Sequence, residues 1–292
     1  MEAPDFLVIG HLAKDKAAEG WRLGGSAAYA SLTASKLGLR TAVLTSAASD
    51  LDPSLLLPGI DIRLLPSSET TVFENVYGPE RRLQYVWARA RTIAASDIPQ
   101  EFLGARVVLL GPLVGEVEEE VARCFPRSLL AIIPQGWLRN ILPDGRVEQI
   151  SPRRWQPRLL LKHSRALFVS DEDLPPTETE ETLARWAAQV PILALTRGTR
   201  GARLWSEGRW REVPAIPAEE LDPTGAGDVF AAAFLSRYVE TDDAWQAALF
   251  ASAAASLSVE APGTAAIPSR QQVEERLRAY EASATQGERG AR

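Results

Sequence analysis

Cysteine is almost missing from this chain. A single residue, Cys124, stands among 292, so an intrachain disulfide and a cysteine-built metal cluster are both excluded. It reads as a small buried hydrophobe. Lysine is scarce too: four of the 32 basic residues are lysine (Lys14, Lys16, Lys36, Lys162). High-temperature proteomes enrich lysine, so the bias reads as genomic rather than thermal. No apolar stretch reaches the roughly 18 residues of a membrane span, and no basic-then-apolar leader opens the sequence. The expectation is a cytoplasmic protein without a membrane partner. A basic block is absent as well, because 38 acidic against 32 basic residues leave a net charge of −6 without clustering. Nucleic-acid binding therefore has no support, and small molecules are the expected partners.

What the chain does have is apolar material. With 46% hydrophobic residues, 292 residues can bury a large core. Runs at residues 6–10, 41–46, 106–110, 129–133, 166–169 and 192–196 read as strands buried on both faces, and helix-like segments separate them. That alternation predicts an α/β fold, a mostly parallel sheet with helices on both faces. Thr177 with Glu180, and Ser269 with Gln272, have the spacing of capping boxes that open two helices. Residues 60–91 break the pattern, alternating apolar and polar at period two around a Gly78-Pro79-Glu80 turn. They predict a small antiparallel sheet with one open face. The organisation expected is one domain over 1–283, with residues 284–292, polar and glycine-bearing, as a frayed tail.

The most informative string is Asp222-Pro223-Thr224-Gly225-Ala226-Gly227-Asp228, followed by the apolar run 229–235. Small residues opening into a buried helix present unpaired backbone N–H groups and the positive end of a helix dipole, which suits an anion. Asp228 adds a carboxylate beside that anion, as phosphoryl transfer requires. The string is neither standard nucleotide loop: no Gly-Lys-Ser/Thr follows, and no third glycine completes a dinucleotide fingerprint. Taken alone, a Gly-x-Gly pair is more often a tight turn.

The whole heptad resembles the C-terminal signature of the ribokinase-like carbohydrate kinases, the PfkB family. A second resemblance lies near the N-terminus, where the strand FLVIG and Asp15 precede Leu23-Gly24-Gly25-Ser26-Ala27-Ala28-Tyr29-Ala30. The resemblance spans about residues 6–268 and implies a ribokinase-like fold with residues 60–91 as a lid over the acceptor. It implies Asp228 as general base and Gly225, Ala226 and Gly227 as the anion hole. Asp15, Gly24 and Gly25 match positions that contact the acceptor. Tyr29 stands where the family commonly has asparagine, and it joins His11, Asn75 and Gln135 as candidate acceptor contacts. Ser170, Thr196, Gly198, Thr224, Gly225, Gly227, Ala254 and Gly263 fall where the nucleotide lies.

Ser170-Asp171-Glu172-Asp173 replaces the family's Asn-x-x-Glu, keeping Asp173 as an oxygen donor acting indirectly on Mg2+. The implied cofactors are ATP and Mg2+, with a potassium ion compatible. Gly10-His11, the Ser170–Asp173 string and Pro134-Gln135-Gly136-Trp137-Leu138-Arg139 resemble the branch that includes inositol kinases. The expectation is an ATP-dependent kinase of a sugar or cyclic polyol. A nucleoside or vitamin kinase stays open, with Phe73, Tyr77 or Trp87 available to stack on a base. So does a non-catalytic ligand sensor, although Asp228 and the Gly-Ala-Gly loop are intact. A homodimer through the lid is compatible with the exposed sheet.

Overall fold

The computed structural model describes residues 2–77 and 82–290. In chain order the first half comprises β1 (Phe6–Ile9), β2 (Ala13–Lys16), β3 (Trp21–Gly24), α1 (Ser26–Lys36), β4 (Thr41–Ala47), α2 (Pro53–Leu56), β5 (Asp61–Pro66), β6 (Thr71–Tyr77), β7 (Arg82–Ala88), β8 (Val107–Leu110) and β9 (Leu129–Ile132). The second half comprises β10 (Arg139–Ile141), β11 (Val147–Gln149), α3 (Arg158–His163), β12 (Ala166–Ser170), α4 (Thr179–Ala187), β13 (Ile192–Thr196), β14 (Ala202–Ser206), β15 (Arg209–Val213), α5 (Ala226–Thr241), α6 (Ala244–Ser258) and α7 (Arg270–Gly290).

Nine strands form the body in the order β15-β14-β13-β12-β9-β8-β1-β4-β5, parallel from β13 to β5, with β14 and β15 added antiparallel. Every side chain of β1 is fully buried. Phe6 and Val8 enter the core shared with α1, α5 and α6, while Leu7 and Ile9 enter the opposite core with Trp155 and Trp186. This two-sided burial is why the run is uniformly apolar rather than alternating. Burial of such side chains contributes roughly 1.5–3 kcal/mol each, so the body is the stable platform.

A separate four-stranded sheet, β3-β2-β6-β7, lies beside it. It draws two strands from residues 13–24 as well as two from the predicted 60–91 region, and its β2–β6 pair is parallel. The segment 61–66 is not part of it. It is β5, the edge of the body sheet, paired with β4, and it alternates because an edge strand has one open face. The predicted turn at 78–80 lies outside the described residues.

Helix expectations held unevenly. Ser269 and Gln272 make reciprocal bonds at the start of α7. Thr177 does not cap: α4 begins at Thr179, and Glu180 turns instead to Arg203. Between β8 and β9 the chain forms only a 3₁₀ segment, Glu119–Cys124. The stretch predicted to fray continues α7 through Gly290. Among the described residues no helix is long and apolar enough to cross a membrane.

Candidate active site

The parallel strands β1, β8, β9, β12 and β13 end at one edge of the body, where open α/β sheets hold ligands. Their connections carry His11, Leu113–Glu116, Gln135 and Arg139, Ser170–Asp173, and Thr196–Gly198. The start of α5 faces the same edge.

That start is built by Asp222. One carboxylate oxygen accepts the Thr224 amide at 3.0 Å, and the other accepts the Gly263 amide at 2.9 Å. Burial opposes the ionised form, yet these bonds hold the Asp222 carboxyl below the ordinary carboxylate range. The loop is thus pinned to the chain beyond α6. Gly225 caps the helix at φ 78°, a conformation that favours glycine. A Cβ there would come within 2.2 Å of the Tyr29 ring. The first bond of the helical ladder is from Val229 N–H to Gly225. The Ala226 amide folds back on the Pro223 carbonyl at 3.2 Å, so the turn itself uses one of the amides expected to form the anion hole.

Asp228, in the first turn of α5, keeps an exposed edge while protein packs around its carboxylate. Burial raises its pKa to about 6; the Ser26 side chain and Arg139 act against that shift, and the Asp173 carboxylate adds to it. At pH 7 the group is ionised by about ten to one, since each unit is a factor of about ten. It is more basic than an exposed aspartate, which suits proton acceptance. Ser26 is 1% exposed, and its hydroxyl has no hydrogen-bond partner that meets full geometry. Asp173 is buried and its pKa is raised by that burial, against the pull of Arg139 and of Gln135, whose amide donates to it at 3.2 Å. Arg139 also donates to the Leu113 carbonyl at 2.9 Å and lies over the Phe73 ring of the second sheet, 5.5 Å from its centroid.

Tyr29, on α1, is 3% exposed. Burial, then the carboxylates of Asp222, Asp15 and Asp228, push its phenol well above its ordinary pKa, so it stays an O–H donor among three acceptors. The charges of Asp15, Asp222 and Asp228 therefore all act on one phenol. The pairings of the small sheet place Asp15, Arg22, Phe73, Asn75, Gln84 and Val86 on one face. This face looks to the site, since its Phe73 lies under Arg139. Asn75 accepts from Gln84 at 3.0 Å. Trp87 belongs to the other face, with Tyr85, Lys16 and Glu74.

Two sequence expectations fail on burial. His11 is wholly enclosed, with its ring nitrogens at 2.8 Å from the Thr71 hydroxyl and 2.9 Å from the Arg91 carbonyl, so it has no surface for an acceptor. Ala254 is 0% exposed within α6 and cannot touch a nucleotide. Gly198 is exposed, while Ser170 caps its own turn through the Glu172 amide. Thr196 bonds weakly to the Val169 carbonyl at 3.4 Å. Sequence reasoning missed Ser26, although it adjoins the diglycine, and Glu116, which carries no motif. Among the described residues no three His, Cys, Asp or Glu side chains gather to hold a metal.

Residues 145–271, which include the whole heptad, match the family described as pfkB family carbohydrate kinase. The chain is similar over that stretch to the PfkB carbohydrate kinases. This kinase is thus a phosphotransferase acting on an alcohol group. It is similar to the cytidine kinase of Thermococcus kodakarensis, 26% identical over 257 residues that make up 80% of this chain and 88% of the relative. It is also similar to the inositol 3-kinase of Oryza sativa subsp. japonica, 29% identical over 259 residues, 81% of this chain and 63% of the relative. Among solved structures it resembles a ribokinase-family pyrophosphate-dependent kinase complexed with a pyrophosphate analog and myo-inositol. The TM-score is 0.77 at 23% identity, over 92% of this chain and 99% of that one, and the likeness is one of fold.

Proposed function

We propose that the kinase transfers the γ-phosphoryl group of ATP to a hydroxyl of a sugar or cyclic polyol, with an inositol-like ring as the favoured acceptor. The observation that carries this reading is the packing of Tyr29 on Gly225 at the start of α5, whose first turn carries Asp228, with the charge of Asp15 on the small sheet acting on the same phenol. A base, a phenolic donor and a carboxylate of the small sheet are thereby brought toward one helix end suited to an anion. Neighbouring hydroxyls are read by such a mixture of acceptors and donors.

Asp228 accepts the proton of the attacking hydroxyl. The transferring phosphoryl group lies at the amides of the first turn of α5, where the helix dipole favours its charge. Thr224 and Gly227 border that position, and Gly24 and Gly25 keep the acceptor side free of bulk. Ser170, Thr196, Gly198 and Gly263 border the donor. Mg2+ suits the donor set, because it binds mainly to phosphate oxygens and water with one or two carboxylates, and Asp173 is engaged by Gln135 and acts only through water. When bound, the ion neutralises donor phosphate charge.

A nucleoside acceptor is the second reading, supported by the likeness to a cytidine kinase. The small sheet argues against it. The Phe73 ring is covered by Arg139, and Trp87 belongs to the sheet's other face, so neither stands ready to stack on a base. The side chain of Tyr77 lies outside the described residues. Trp21 and Trp87 are exposed on that other face, which suits the homodimer through the lid.

The deciding experiment measures turnover of myo-inositol, ribose, fructose and cytidine with Mg2+ and either ATP or pyrophosphate. Highest kcat/KM on inositol with ATP is expected. Preference for cytidine would replace the acceptor reading, and turnover with pyrophosphate alone would replace the donor.

A further inference from the structure

The small sheet joins the body through four crossings, at residues 10–12 between β1 and β2, 24–25 between β3 and α1, 67–70 between β5 and β6, and 89–91 after β7. All four meet at His11. His11 itself lies in the first. In the second, Gly25, at φ 95°, packs on the His11 carbonyl so closely that a Cβ would come within 2.6 Å of it. At the end of the third, the Thr71 hydroxyl lies 2.8 Å from Nδ1, and at the fourth the Arg91 carbonyl lies 2.9 Å from Nε2.

The bonding directions follow from elementary chemistry. A carbonyl only accepts, so Nε2 carries the hydrogen and donates to Arg91. In the neutral ring Nδ1 then accepts from the Thr71 hydroxyl, whose oxygen in turn accepts the Ala90 amide at 3.0 Å. One chain of bonds therefore runs from the fourth crossing through the third to the first and back to the fourth. A second buried group holds the ring's own backbone. Glu116, 0% exposed, accepts the His11 amide at 2.9 Å and the amides of Leu113 and Val114, which ties the crossings to the loop after β8. Ile93, just past the fourth crossing, donates to the Glu116 carbonyl at 2.7 Å.

We infer that His11, held by Glu116, is a positioning residue that joins the four crossings and so fixes how the small sheet presents Asp15 and Asn75 to the acceptor. This rests on the reading of that sheet as the cover of the acceptor. A buried imidazole with both nitrogens bonded is rigid, and a small tilt at the crossings is enlarged at the far end of a seven-residue strand such as β6. Neither residue touches the reacting atoms.

The test uses Thr71→Val, which keeps shape while removing the hydroxyl, beside His11→Ala. The first arm, hydrogen exchange without substrate, does not depend on the acceptor's identity. Amides of β2, β6 and β7 should exchange about tenfold faster while those of β8 and β9 are unchanged. In the second arm the acceptor KM should rise about tenfold, with donor KM and the acid limb of the pH profile unmoved. Should His11→Ala fail to fold, Thr71→Val alone decides. Unchanged exchange in the small sheet, or equal acceleration throughout the body, overturns the inference. If no acceptor in the panel is turned over by the parent enzyme, the functional reading fails while the exchange arm still decides this one.

Discussion

Tyr29 and Gly225 are in direct contact: the tyrosine ring occupies the place a side chain on residue 225 would take, with Cδ1, Cγ and Cε1 all within 2.5 Å of an ideal Cβ. The helix that follows the diglycine and the turn that opens α5 therefore share one surface. On the proposed reading, an acceptor beside Tyr29 would lie against the turn that receives the phosphoryl group.

Gly225→Ala should fail twice, from a φ of 78° that disfavours alanine and from collision with Tyr29. We expect roughly 1–3 kcal/mol of lost stability in denaturant unfolding and a fall in kcat of about a hundredfold or more. Near-normal turnover would show that the contact is unnecessary.

Asp228→Asn should fold and lose nearly all turnover, and retention of more than a few per cent would refute its role as base. The pH behaviour has a definite sign. The folded-state pKa is raised to about 6 from 3.8, so activity should climb as pH rises through 6, when the carboxylate ionises. Stability runs the other way: the native state binds the proton more tightly, and this group's contribution is lost as pH rises from about 4 to 6. The asparagine variant should therefore melt no lower than the parent at pH 8, measured by calorimetry.

Ser26→Ala removes a neighbour that favours the ionised base. The acid limb of the kcat/KM profile should move to higher pH, with the melting temperature little changed because the hydroxyl has no other partner. A limb that stays in place would separate Ser26 from the base.

Asp222→Ala cuts both bonds that pin the loop, to Thr224 and to Gly263. A loss of about 1–3 kcal/mol is expected from two orphaned amides. The donor KM should rise about tenfold with the acceptor KM changed less. Equal change in both would mean that the loop serves the acceptor as much as the donor.

The body strands and the helix that follows the heptad were legible because their demands are local: buried runs need apolar residues, and the turn into α5 needs a glycine at φ 78°. The small sheet was half legible. Strand β2 reads Ala-Lys-Asp-Lys and offers no apolar alternation, since Lys14 reaches Asp50 and Lys16 covers Trp87. Strand β5 alternates for a reason unrelated to any lid. Thr177 with Glu180 had the right spacing, but tertiary pairing of Glu180 with Arg203 prevailed. His11 looked like a ligand because sequence shows its type and neighbourhood but not that Thr71, Arg91 and Glu116 enclose it from 60, 80 and 105 residues away.

The pairing of β2 with β6 joins Ala13 to Thr71, and β4, α1 and β5 lie between them in the chain. The small sheet closes a long loop, and its entropic cost is met only after the strands in between have docked. It should be the last part to assemble and the first to open, so a protease sampling the native ensemble would cut there while the body remained intact.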